Sequence, residues 1–195
     1  MNKSQRIGVL GGTFDPIHNV HLAMARAAIK HARLDKVLFV VSGRPPHKST
    51  GPCASAENRF AMAEAATASE SKMEASRLEI DRGGVSYTRD TLEALSKQSP
   101  GDTLFLILGF DSLLDLPNWR APGRVLELAR ILVVPRPGAN GQVPTELEGH
   151  YDMLPFEPVD IASTTIRQRI ATGGSIEELV PAPVVRYILG KGLYT

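Results

Sequence analysis

His18 and His21 stand three residues apart at the end of the stretch GGTFDPIHNVH, residues 11–21, just behind the pair Gly11-Gly12. Two imidazoles at that spacing share one face of a helix. Glycines lack a side chain, so a phosphate or sugar can approach their backbone closely. A helix N-terminus behind them offers free N–H groups and the positive end of its dipole. Together these describe a site for a polyphosphate. The same histidines could form half a metal site, but no Cys or third His lies at ligand spacing nearby, and no metal ligand is assigned. Gly-Gly at a strand end is by itself only a turn; the whole string carries the signal.

Two common phosphate-binding patterns are missing. The chain has no G-x-x-x-x-G-K-[ST] and no G-x-G-x-x-G, and Ser42-Gly43-Arg44 supplies no acid for an NAD ribose. A P-loop enzyme and a dehydrogenase are both poor readings.

The elements that must position these residues follow from hydrophobic patterning. Residues 6–10 read as a short buried strand and 19–32 as a helix, so the glycines and histidines lie where strand hands over to helix. Apolar runs at 37–41, 103–108 and 131–134 read as strands buried on both faces. A weaker strand is expected at 75–80, where Leu78 and Ile80 alternate with charged neighbours. Helices are expected at 55–68, 88–97 and 124–129; Glu57 suits the first turn of one and Pro100 stops another. Residues 136–149 read as a Gly- and Pro-rich loop, 152–156 as a last strand, and 164–171 and 183–189 as C-terminal helices, the second ended by Gly190 and Gly192. This alternation predicts an α/β fold with a doubly wound parallel sheet, in which ligands bind beyond the carboxyl ends of the strands.

At 195 residues the chain is expected to form a single domain, 1–195, since domains run to roughly 100–200 residues. A hydrophobic fraction of 43% and a charged fraction of 22% are those of an ordinary globular protein. The formal net charge of +1 supports neither a nucleic-acid nor a membrane-surface partner. Cys53 is the only cysteine, so no internal disulfide can form. Without a signal-like apolar N-terminus or a run of roughly 18 apolar residues, a cytoplasmic location is the default.

The stretch GGTFDPIHNVH resembles the GG-x-FDP-x-H-x-GH signature of the HxGH nucleotidyltransferase superfamily. The rest is similar to one family within it, the bacterial nicotinate-nucleotide adenylyltransferases. The matching stretches are PPHK at 45–48, SYTRDTL at 86–92, LGFDSLLDLPNW at 108–119, VVPRPG at 133–138, STTIR at 163–167 and VVRYILGKGLY at 184–194. They cover the chain nearly end to end and in order. Two positions depart from the pattern: Val20 replaces the usual Gly between the histidines, and Ala162 replaces one Ser of I-S-S-T. Neither change removes a charged or imidazole group.

The resemblance implies a Rossmann-like nucleotidyltransferase fold and an enzyme of NAD biosynthesis. It would join nicotinate mononucleotide to ATP, giving nicotinate adenine dinucleotide and pyrophosphate, with Mg²⁺ accompanying ATP. The acceptor phosphate has a second pKa of about 6 and is already mostly dianionic at neutral pH. No general base is required, and catalysis must come from positioning and positive charge. The resemblance gives the catalytic roles to His18, His21, Lys48 and Arg167, with His47 beside Lys48. It gives ATP contacts to Gly11, Gly12, Thr13, Phe14, His18, His21, Ser163, Thr164 and Arg167. Nicotinate mononucleotide falls to Thr88, Gly109, Asp111, Trp119 and Arg136, the Trp119 indole stacking on the cationic pyridine.

Plainer readings stand beside several of these. Ser163-Thr164 also reads as a helix cap, Arg167 with Arg169 as a solvated face, and His47 as surface. Leu113, Leu116 and Trp119 are three apart, as core residues would be, and Asp111 suits the N-cap of a helix at 112–116. Rival functions are adenylyl transfer to nicotinamide mononucleotide or phosphopantetheine, and a non-catalytic nucleotide-binding module. Phosphopantetheine adenylyltransferases share the first motif but leave SYTRDTL, LPNW and YILGKGLY unexplained. Members of one family can differ in assembly, so a homo-oligomer stays open.

Overall fold

The computed structural model describes residues 4–44, 53–135, 138, 141–157, 159 and 161–195. Its strands are β1 (Arg6–Gly12), β2 (Lys36–Val41), β3 (Met73–Ser76), β4 (Thr103–Gly109), β5 (Ala129–Val134) and β6 (Tyr151–Met153). Among the described residues the helices are α1 (Asn19–Ala32), α2 (Ala56–Thr67), α3 (Leu78–Arg82), α4 (Thr88–Gln98), α5 (Phe110–Asp115), α6 (Pro122–Leu128), α7 (Ser163–Ala171) and α8 (Ala182–Lys191).

The strands form one parallel sheet in the order β3-β2-β1-β4-β5-β6. In β2 and β4 five consecutive residues are buried, as strands covered on both faces must be. Register runs from Arg6↔Thr103 to Val9↔Leu106 between β1 and β4, and from Leu104↔Ala129 to Gly109↔Val134 between β4 and β5. The order reverses at β1, the point where ligands of such sheets bind.

Two compact groups of residues make up the chain. The first holds Met1–Leu10, Met24–Leu38 and Tyr87–Asp160; the second holds Gly11–Ala23, Phe39–Ser86 and Ile161–Thr195. In the first, Leu34, Leu92, Leu113, Leu116 and Val125 are fully buried, and residues 104–108 of β4 and 131–134 of β5 are buried. Arg6 donates to Ala32 O at 2.9 Å and lays its guanidinium over the Phe105 ring at 4.5 Å. Arg33, at φ 50, turns the chain after α1, and the Leu34 N–H then reaches back to Ile29 O at 3.1 Å. In the second, Met62, Ala63 and Ala66 of α2 and Val184 and Ile188 of α8 are buried. The Tyr187 hydroxyl donates to Asn58 Oδ1 at 3.0 Å, tying α8 to α2. No described helix is long and apolar enough to cross a membrane.

Helix α1 spans the expected residues, and most other elements agree to within one or two. The strand expected at 75–80 is corrected: β3 ends at Ser76, and Leu78 and Ile80 belong to α3. Arg77 anchors this turn through Asp81 and both carboxylate oxygens of Glu57. Gly43 lies against α3; a Cβ there would come within 2.8 Å of Glu79 O. The strand expected at 152–156 is the shorter β6, and the loop at 136–149 contains a 3-10 turn at Thr145–Leu147. Helix α8 passes through Gly190 and ends only at Gly192, whose φ of 58 suits glycine.

Candidate active site

The end of β1 leads straight to the histidines. Gly11 is exposed, and a Cβ built on it would meet nothing within 4 Å, so the strand end faces open space. The chain then turns sharply at Phe14, which has φ 48 and is buried. The Phe14 ring meets the His21 ring edge-on at 5.0 Å and tilts against Phe39 at 5.8 Å. Its burial offsets the cost of a left-handed backbone at a bulky residue.

His18 and His21 form one unit. Their rings are stacked with centroids 3.7 Å apart, and the His18 N–H donates to His21 Nδ1 at 3.1 Å. Neutral His21 must therefore carry its proton on Nε2, a donor for an oxygen ligand. His18 is 4% exposed, and its Nδ1 has no hydrogen-bond partner among the described residues. Burial lowers the His18 pKa to about 4. Burial, and secondarily the neighbouring His18, hold His21 well below the ordinary imidazole value. The free pair is neutral at neutral pH.

The expectation of free N–H groups at the helix start is corrected at three positions. The His18 N–H goes to His21, the Asn19 N–H to Leu179 O at 2.9 Å, and the His21 N–H to His18 O at 3.0 Å. What α1 offers there is its dipole and the imidazoles. Val20 is a half-buried helical residue, a setting in which a side chain fits without strain.

Arg167 and Ser163 reach this turn from α7. Arg167 Nη1 donates to Asp15 O at 2.8 Å and Nη2 to Thr164 Oγ1 at 3.2 Å; Ser163 Oγ donates to Pro16 O at 3.0 Å. The cap reading of Ser163-Thr164 is therefore corrected. The N-cap is Ala162, which makes no side-chain cap, and the hydroxyls serve the turn and Arg167 instead. Arg167 is half-buried and bonded to the turn while Arg169 is exposed, and the Arg167 guanidinium has further N–H groups for an anion.

Two residues of this half were missed in the sequence. Asp15, 1% exposed, accepts the Cys53 N–H at 2.7 Å and the Ala54 N–H at 3.1 Å. Arg59, also 1% exposed, donates to Thr13 O and Ser42 O at 2.8 Å each, Ala54 O at 3.2 Å and Gly43 O at 3.3 Å. A buried guanidinium held by four carbonyls fixes the ends of β1 and β2 together with the start of α2. Arg59 could have been found: it occupies the buried stripe of α2 with Met62, Ala63 and Ala66, where a charge needs a reason.

The acceptor candidates belong to the first group of residues. Thr88 opens α4, Gly109 ends β4 as the N-cap of α5, and exposed Asp111 lies in the first turn of α5. The N-cap reading of Asp111 is corrected, because α5 begins at Phe110 rather than 112. Leu113 and Leu116 are fully buried, but Trp119 is only half-buried and donates from Nε1 to Asp115 Oδ2 at 3.1 Å. Core packing therefore accounts for the leucines and leaves the indole available. Arg120 lies over the Tyr87 ring at 4.7 Å. His47, Lys48 and Arg136 lie outside the described residues. Among the described residues no cluster of three His, Cys, Asp or Glu could hold a metal.

The cytidylyltransferase-like family model matches residues 9–169. A chain from Roseiflexus sp. (strain RS-1), named "Probable nicotinate-nucleotide adenylyltransferase", is 46% identical over 98% of this chain and 98% of its own. A chain of the same name from Thermus thermophilus is 45% identical over 97% of this chain and 99% of its own. The fold is similar to that of Plasmodium falciparum nicotinic acid mononucleotide adenylyltransferase, solved with NaAD, at a TM-score of 0.81 and 18% identity over 97% of each chain. The chain belongs to the cytidylyltransferase-like family and, within it, to the nicotinate-nucleotide adenylyltransferases.

Proposed function

We infer that this chain transfers the adenylyl group of ATP to nicotinate mononucleotide, releasing pyrophosphate and forming nicotinate adenine dinucleotide for NAD biosynthesis. The observation that carries this is the stacked His18–His21 pair at the turn from β1 to α1, in a chain related over 98% of its length to enzymes of that name.

The acceptor's phosphate oxygen attacks the α-phosphorus. A new P–O bond forms there as the bond to the β-phosphate oxygen breaks, and pyrophosphate leaves with the electron pair. Both partners are anions, so the protein must hold them in line and neutralise charge in the transition state. In this reading His21 donates from Nε2 to the phosphates, His18 lies stacked behind it, and the α1 dipole adds to both. Arg167, with Ser163 and Thr164 at the start of α7, takes the β- and γ-phosphates that become the leaving group. Gly11, Gly12, Thr13 and Phe14 form the backbone wall of the nucleotide, and Lys48 supplies a further cation.

Mg²⁺ accompanying ATP would supply charge neutralisation on the phosphate oxygens. In the nucleotide half, the Asp15 carboxylate is occupied by backbone N–H donors, so the donor set fits Mg²⁺ held by phosphates and water. On the acceptor side Trp119 stacks on the pyridinium ring, Asp111 takes ribose hydroxyls, and Thr88, Gly109 and Arg136 complete the pocket.

The test is product identification. Purified protein with ATP, Mg²⁺ and nicotinate mononucleotide should yield nicotinate adenine dinucleotide and pyrophosphate in equal amounts, and EDTA should stop it. ATP hydrolysis without a dinucleotide would contradict the reading.

A further inference from the structure

We infer that Tyr194, next to the C-terminus, is a positioning residue for the nucleotide half: its hydroxyl holds Asp15, and through Asp15 the turn that carries His18 and His21. This rests on the function proposed above.

Asp15 lies three residues before His18, inside the turn between β1 and α1. Its carboxylate already ties that turn to Cys53 and Ala54, just ahead of α2. A third donor comes from the far end of the chain, where the Tyr194 hydroxyl meets Asp15 Oδ1 at 2.7 Å. The main chain of the same residue is held by Arg167 at Asp15 O. Asp15 is thus fixed on its side chain by the C-terminal segment and on its backbone by α7.

The end of α8 is built to deliver this contact. Gly192 closes the helix in the left-handed region, and the Leu193 N–H reaches back to Ile188 O at 3.1 Å. Tyr194 follows at φ 69, in the left-handed region that a bulky side chain adopts only at a cost. The hydroxyl bond to a buried carboxylate offsets that cost. Burial, the hydrogen bond to Asp15 and the Asp15 charge all raise the phenol pKa, so Tyr194 remains a donor at any working pH.

Removing the hydroxyl leaves the Asp15 carboxylate two donors and loosens the turn at this side-chain anchor, while Arg167 still holds the Asp15 carbonyl. Phosphoryl transfer is sensitive to displacements of about 1 Å, so the imidazoles lose alignment at the reacting phosphate. The acceptor candidates Thr88, Gly109, Asp111 and Trp119 belong to the other group of residues.

The experiment is Tyr194→Phe, measured well below its melting temperature. ATP binding is read by calorimetry without acceptor, nicotinate mononucleotide binding separately, and turnover with both. The expected result is ATP affinity lower about fivefold and kcat lower about tenfold, with mononucleotide affinity within twofold of wild type. Asp15→Asn, which keeps the shape and drops the charge, should show the same split and serves if the Phe variant does not fold. ATP affinity and kcat both within twofold of wild type would overturn the inference. Equal weakening of both substrates would overturn it too, since that is general loosening. Failure of the functional reading looks different: wild-type protein would then bind ATP without turning over the mononucleotide, while the ATP arm still reads Tyr194.

Discussion

The backbone N–H of His18 donates to Nδ1 of His21 at 3.1 Å, while the two rings stack at 3.7 Å. One histidine thereby sets the tautomer of the other, and neither can be altered without disturbing its partner. The H-x-x-H spacing thus does more than place two imidazoles on one face: it locks a single donor orientation before any substrate arrives.

Both imidazoles should matter to turnover far more than to folding. His21→Ala is expected to lower kcat by about 100-fold or more, the scale of losing a preorganised donor, and His18→Ala similarly, because it removes the ring stacked on that donor. His21→Asn keeps an acceptor for the His18 N–H but has no Nε2, so it should melt close to wild type and remain inactive. Steady-state kinetics beside thermal melts check this. A folded His18→Ala protein with near-wild-type turnover would remove the role given to the pair.

Stability should fall on acidification. The His18 pKa is about 4 in the folded protein against 6.5 for the ordinary imidazole. Above pH 6.5 the group is neutral in both states and contributes no pH dependence. Between 6.5 and 4 the unfolded chain binds a proton that the folded one refuses, so stability is lost as pH drops and levels off below 4. The full loss is roughly 3 kcal/mol at 1.36 kcal/mol per pKa unit. Melting curves across that window should be flatter for His18→Ala than for wild type; parallel curves would contradict the assignment.

Trp119→Ala should separate the two substrates. Leu113 and Leu116 hold the core beneath it, so the melting temperature should change by only a few degrees. Nicotinate mononucleotide binding should weaken about tenfold, in keeping with loss of a cation–π contact, and ATP binding should change little. Equal losses for both ligands, together with a markedly lower melting temperature, would return Trp119 to the core.

Arg59 should be structural in the strict sense. Arg59→Met keeps the apolar stem but leaves the carbonyls of Thr13, Ser42, Gly43 and Ala54 without this donor. A loss on the order of 3 kcal/mol is expected from urea unfolding, since buried acceptors stripped of a charged donor are expensive. A change under about 1 kcal/mol would mean that water replaces the guanidinium.

Much of the fold is legible in the residues because buried parallel strands are plain apolar runs and α1 puts Leu22, Ala25, Ala28 and Ala32 on one buried stripe. Leu78 and Ile80 read wrongly because two apolar residues two apart fit a short strand as well as one helical turn, and the Arg77 bonds to Glu57 beside that turn are tertiary. Spacing cannot separate Trp119 from Leu113 and Leu116; only exposure does. Ser163 and Thr164 read as a cap because hydroxyls at a helix start usually cap, whereas here Pro16 O and Arg167 claim them. Tyr194 leaves no local signal, since its partner lies 179 residues away.

The most direct measurement is pyrophosphate release from ATP and Mg²⁺ with three acceptors in parallel: nicotinate mononucleotide, nicotinamide mononucleotide and phosphopantetheine. Strong preference for the first is expected, with turnover weakened by Trp119→Ala and abolished by His21→Ala. Turnover with phosphopantetheine alone, or ATP binding without turnover on any acceptor, would contradict it.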